Sequence, residues 1–277
     1  MTGKSIYAIA KKEFLDNYRN KWIIAITIIF LILTLVISYF GVLGSEGWTD
    51  LTATISGMMF LVQWLIPIIA LMLGYASIVG EKEKGSLSLL LSYPVERGEV
   101  IAGKFIGLGS VLALSILIGF GGAGLIIALN VSGIQWGEYL IFIASAILLG
   151  LVYISLAMLF STVCNKRSTA LGGSIFLWFL FAMIWGVILV GIVIANYGID
   201  TLSNEDWTAP TWYYIISMIN PISSFQLLVS LNIASISTEM PGVLPTFYTT
   251  PIIATVLILW ILIPLIVAYI LFQRKDL

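Results

Sequence analysis

The chain has 277 residues, of which 60% are hydrophobic and 10% charged, and its formal net charge is −1. Soluble domains carry roughly 25% charged residues, and a water-exposed globule of this composition would present aggregating apolar patches, so a bilayer is the solvent that suits it. Histidine is absent and Cys164 is the single cysteine, which excludes a His-built zinc site, a Ser-His-Asp triad and an intramolecular disulfide.

In chain order, residues 1–21 predict a helix lying at the membrane interface. Ile6, Ile9, Phe14 and Leu15 can turn toward lipid while Lys4, Lys11, Lys12 and Arg19 meet anionic headgroups; a merely basic tail is the alternative. A helix needs about 20 apolar residues to cross the hydrocarbon core. Six windows meet that length without an Asp, Glu, Lys or Arg: 22–43, 55–79, 105–129, 139–163, 169–195 and 251–272. The first is too long for a signal-peptide core and lacks a small-residue cleavage site, so it reads as an uncleaved anchor.

Between the second and third windows, residues 80–104 predict a charged exit and a short helix. Ser86 is placed to cap that helix, Leu87, Leu90 and Leu91 form one apolar face, and Pro94 prevents continuation. Such a helix either docks a partner or rests on its own bundle. Gly98, Gly103 and Lys104 imitate the P-loop spacing G-x-x-x-x-G-K, but Phe105 stands where a Ser or Thr would hold Mg²⁺ and no strand precedes it. It is not a nucleotide site, and any ATP must be handled by another chain. Gly103 and Gly107, and the glycines at 119, 121, 122 and 124, allow close helix approach; bundle packing and a transport role explain them equally well.

Cys164 lies beside Asn165, Lys166 and Arg167 in a short loop, as a small residue at a helix end rather than a reactive thiol. In the segment 196–250, residues 212–236 are apolar and of spanning length, but Asn220-Pro221 interrupts them. Two short helices on the outer side are expected there, with Trp207, Trp212, Tyr213 and Tyr214 at the headgroup level; whether they enter the membrane is open.

All 13 Lys and Arg residues fall before the first window, in 80–104, between the fourth and fifth windows, or after the sixth. The intervening segments on the other side carry only acids: Glu46, Asp50, Glu138, Asp200, Glu205, Asp206 and Glu239. The positive-inside rule then places both termini in the cytoplasm of a multi-pass cell-membrane protein. The windows hold no ionisable residue of the kind that marks proton relays and ion pathways, and no base to activate a serine. Ser38, Ser110, Ser115, Ser155 and Ser174 are read as interhelical hydrogen-bonding residues.

The stretch after the second window carries the pattern E-x-E-x-G-[ST]-L…LLS-x-P-[VI]-x-R-x-E as Glu81, Glu83, Gly85, Ser86, Leu87, Leu90, Leu91, Ser92, Pro94, Val95, Arg97 and Glu99, followed by Gly103-Lys104. In this pattern the chain resembles the ABC-2 type transporter permeases. The resemblance runs over nearly the whole chain, through the basic N-terminal helix, the Lys166-Arg167 loop, the Asn220-Pro221 segment and the tail 274–277. Length and layout are most similar to the subgroup serving copper-enzyme maturation.

The resemblance implies a single permease domain over 1–277, an all-α integral membrane protein. It would have six transmembrane helices, an N-terminal interfacial helix, a cytoplasmic coupling helix between spans two and three, and short outer helices between spans five and six. It implies an exporter in which this chain pairs with itself or with a second permease, and separate ABC ATPase subunits dock below. ATP and Mg²⁺ would be held by those subunits and no cofactor by this chain; the bilayer is the other partner, and no nucleic acid is expected. Coupling would pass through Glu81, Glu83, Gly85, Ser86, Leu87, Leu90, Leu91, Pro94, Arg97 and Glu99, with the N-terminal helix and loop moving as levers. Leu90→Asp or Arg97→Glu is expected to weaken docking while leaving insertion intact. Cargo would pass between two permeases along spans two and five; a lipid-like, amphipathic or polymeric cargo and a cation both remain open. The rival readings are a non-transporting membrane anchor or assembly factor recruiting a soluble partner, and a carrier or channel working alone.

Overall fold

The computed structural model describes residues 2–18, 21–40, 51–130, 135–203, 209–233 and 245–274. Every regular element among them is helical: α1 (Thr2–Tyr18), α2 (Lys21–Phe40), α3 (Leu51–Gly74), α4 (Val79–Glu83), α5 (Ser86–Leu91), α6 (Arg97–Ala128), α7 (Trp136–Val163), α8 (Arg167–Phe179), a π-helical turn (Leu180–Ile184), α9 (Trp185–Tyr197), a 3₁₀ turn (Ile199–Ser203), α10 (Thr211–Ile219), α11 (Pro221–Asn232) and α12 (Thr250–Arg274). Among the described residues, five helical runs are long and apolar enough to cross a membrane: Thr54–Glu83, Arg97–Ala128, Trp136–Val163, Arg167–Tyr197 and Thr250–Arg274. α2 adds a largely apolar helix of 20 residues, about 30 Å at 1.5 Å per residue; positions 41–43 of the expected first span lie outside the described residues. The chain is an integral membrane protein.

α7 forms the centre, with α3, α6, α11 and α12 packed around it. Without a hydrophobic driving force in lipid, contact depends on close approach at small residues. A Cβ on Gly74 would lie 2.6 Å from the Ala157 Cβ, and one on Gly150 would lie 2.5 Å from Leu112. Tyr139 Oη donates to the Phe120 carbonyl at 2.8 Å, joining α7 to α6. The most apolar stretch of the α7 run is 67% buried within the chain, against 17% for the Arg167–Tyr197 run. The Arg167–Tyr197 run therefore offers most of its surface to something outside the chain.

Two expectations need correction, and one point left open is filled in. The first concerns α1, whose Ile9 does not face lipid. Ile9 is buried against Gly103, and Ala10 and Glu13 abut Gly107. α6 starts at Arg97, well before the expected boundary at 105, and its two glycines four residues apart make a bed for α1. Tyr7 and Leu15 stay exposed.

The second concerns the serines. Ser38 accepts from Thr54 Oγ1 at 3.1 Å, and Ser155 donates to the Trp260 carbonyl at 3.1 Å; both bonds link helices. Ser110 and Ser115 instead bond back to Ile106 and Val111 of their own helix, the usual local competitor for a hydroxyl. The buried Ser174 hydroxyl has no partner among the described residues.

The open point concerns α10 and α11, which are two short helices as expected and pack into the bundle. They meet at 111°. Asn220 Oδ1 accepts from Ile222 N at 2.8 Å, capping α11 with Pro221 in its first turn. Its Nδ2 donates to the Phe181 carbonyl at 2.8 Å, inside the π turn, where the ladder of the helix is locally broken. Trp260 Nε1 donates to the Ile219 carbonyl at 2.9 Å, so the corner lies near the middle of α12, and Ile222, Phe225, Leu228 and Val229 are buried. The pair is a bent hairpin inserted into the bundle. Trp207 lies outside the described residues.

Candidate coupling site at the basic end of the bundle

After α3 the helix breaks at residues 75–78, and the amides of Ile78 and Val79 would be orphaned. Ser161 Oγ on α7 accepts from both, at 2.9 and 3.0 Å. α4 then leads to Gly85 at φ 71°, a left-handed conformation that costs an L side chain about 1–2 kcal/mol. A Cβ there would touch nothing within 4 Å, so the backbone conformation, not space, selects glycine. Gly85 is the cap position of α5; Ser86 is its first residue, and its hydroxyl donates to the Glu81 carbonyl at 3.3 Å instead of capping.

The apolar face of α5 turns inward. Leu87 is 1% exposed, and Leu90 and Leu91 pack partly buried against the core. The displayed surface consists of Ser88, Leu89, Ser92, Tyr93 and Pro94, with Leu89 65% and Tyr93 62% exposed. Between this loop and α1 lies a groove of about 480 Å³, floored by Ile9, Leu90 and Val95 and edged by Lys4, Lys12 and Tyr93.

The charged residues of the pattern act as fasteners. Glu81 lies 2.8 Å from Lys104 Nζ and 3.1 Å from Lys12 Nζ, and Lys104 lies 2.6 Å from Glu13. Burial pulls the Lys12 amine down, but the charge and hydrogen bond of Glu81, with Glu13 and Asp16 beyond, hold it above its ordinary value. Glu83 pairs with Arg167 at 3.0 Å and accepts from the Arg167 amide at 2.9 Å, while Arg167 Nη2 donates to the Gly80 carbonyl at 2.6 Å. Glu99 accepts from the Glu96 amide at 3.1 Å, completing a capping box at the start of α6. Arg97 donates to the carbonyls of Phe272 and, at 3.0 Å, Gln273, and stacks over the Phe272 ring. Cations at a helix C-terminus offset its dipole, so Arg97 clips α12 to α6.

These contacts change what the two substitutions named above would test. Arg97→Glu would place an anion against the carbonyl end of α12, and Leu90→Asp would disturb a half-buried contact. Leu89 and Tyr93 probe the outer surface without that complication. The segment from Gly98 to Lys104 is continuous helix, Gly98 packs on the Tyr269 ring and the Lys104 amine is held by two carboxylates; it forms no phosphate loop.

Sequence reasoning missed Glu13, Lys12, Lys104 and Arg167 as partners of the loop. An acid within a basic helix and a lysine at the head of an apolar one were the available signals, but only the α1–α6 crossing pairs them. Toward the other end of the bundle, Gln226 Nε2 donates to Gln63 Oε1 and Trp64 meets Trp178 edge-on at 5.6 Å between centroids. Where α3 meets α11 and α8, the contacts are thus made by uncharged polar and aromatic side chains.

The sequence model of the family described as ABC-2 family transporter protein matches residues 7–277. A protein of Stutzerimonas stutzeri named "Probable ABC transporter permease protein NosY" is 36% identical over 280 aligned positions, covering 98% of each chain. A protein of the same name from Pseudomonas aeruginosa is 35% identical over 282 positions, again covering 98% of each.

Proposed function

The chain belongs to the ABC-2 family of transporter proteins, and on that premise we propose that it is the permease subunit of an ABC transporter that exports its cargo, driven by a separate ATPase subunit docked on the 80–104 loop. The observation that carries the docking proposal is the loop's construction. Leu87, Glu81 and Glu83 anchor it to three other elements, while Leu89, Ser92, Tyr93 and Pro94 face outward. A rigidly held surface loses little conformational freedom on binding.

The basic end is cytoplasmic in this reading, because all 13 Lys and Arg sort to it, and both termini lie there with the ATPase. The chain itself holds no nucleotide or other cofactor; ATP and Mg²⁺ belong to the partner. Two permeases pair through the exposed face of α8 and α9 together with α3, and cargo moves between them along that largely apolar surface. The names of the relatives support the permease assignment; export is part of the proposal.

Affinity purification of the chain from its native membrane tests the proposal. An ATP-binding subunit is expected to accompany it, and Leu89→Asp with Tyr93→Asp is expected to reduce its recovery about tenfold while the permease still inserts. Unchanged recovery would leave the loop without a docking role, and recovery of a soluble protein that hydrolyses no ATP would favour the anchor reading.

A further inference from the structure

Four ionisable side chains from three elements meet at the basic end: Lys12 and Glu13 on α1, Glu81 on α4 and Lys104 on α6. Lys104 is 1% exposed, with its amine 2.6 Å from Glu13 and 2.8 Å from Glu81, and Lys12 completes the cluster 3.1 Å from Glu81. A charge removed from water is tolerated only while its partners stay in place. The backbone packing beside it is as close. Cβ atoms built on Gly103 and Gly107 would lie 2.7 Å from the Ile9 Cβ and the Ala10 carbonyl. Surfaces packed this tightly have discrete arrangements and do not slide continuously.

Resting on the transport reading above, we infer that Lys104 is a positioning residue that pins α1 and α4 to α6, so that these elements move as one body during the ATPase cycle. A displacement of the docking loop then passes through α4 and Lys104 directly into the 32-residue α6, and α1 rides with it. The opposite behaviour, in which the cluster parts and re-forms at each turnover, would make α1 a separately moving arm.

A covalent lock separates the two. Ile9→Cys with Gly103→Cys, in a Cys164→Ala chain purified with its ATPase, brings two Cβ atoms to disulfide spacing after a shift of about 1 Å. Hydrolysis by the oxidised complex is expected to stay within about twofold of the reduced one. Loss of about tenfold or more on oxidation, restored by reductant, overturns the inference. Lys104→Met supplies the converse. The ATPase should remain bound, permease-dependent hydrolysis should fall about tenfold, and oxidation of the same cysteine pair in this background should recover it. Wild-type hydrolysis in Lys104→Met, or no recovery on oxidation, contradicts the pin. If no ATPase accompanies the unaltered chain, the transport reading fails. The rate of disulfide closure then decides the joint by itself: faster with Lys104 than with Met supports it, and equal rates overturn it.

Discussion

At the scale of single residues, the chain relies on a few side chains whose removal leaves buried polar groups exposed to nothing. Ser161 is the clearest, because one hydroxyl oxygen receives two amides at the α3–α4 break. Ser161→Ala is expected to cost about 1–3 kcal/mol for the donors left unmet, read as a lower thermal midpoint in detergent. Gly85→Ala is expected to cost about 1–2 kcal/mol through its left-handed backbone, with no change in neighbouring contacts. Asn220→Ala removes both the α11 cap and the bond to Phe181, costing about 1 kcal/mol for the cap alone; the hairpin should then exchange its amide protons faster than α7 does.

At the scale of elements, hydropathy marks where the long helices run, because twenty apolar residues leave few alternatives. The Asn220-Pro221 break was also legible, since proline both ends one helix and starts the next. Depth was not: the hairpin's place beside Trp260 and the π turn depends on a carbonyl and an indole from distant segments. The same holds for α5. Its leucine spacing identifies an apolar face, but spacing alone cannot say whether that face meets a partner or the chain's own core, and Leu87 shows that it meets the core. For α1, the glycines at 103 and 107 were visible in sequence and their partner was not. Gly107→Leu is expected to displace α1, since a Cβ there already meets the Ala10 carbonyl at 2.7 Å, and protease cleavage near the N-terminus of the purified chain should accelerate.

At the scale of the whole molecule, the chain is a helical membrane body with one densely charged end and a weakly buried run at Arg167–Tyr197. The charges hold the loop, α1, α6 and α12 together, and leave a small apolar and aromatic surface at Leu89 and Tyr93 facing outward. That surface is where the permease is proposed to meet its ATPase. A photocrosslinking residue at position 93, activated in native membranes, tests this most directly. The account predicts a covalent adduct with an ATP-hydrolysing subunit, lost when that subunit is absent. Adducts formed only with lipid or with the chain itself, or quenching of the probe by an impermeant reagent added outside the cell, would contradict it.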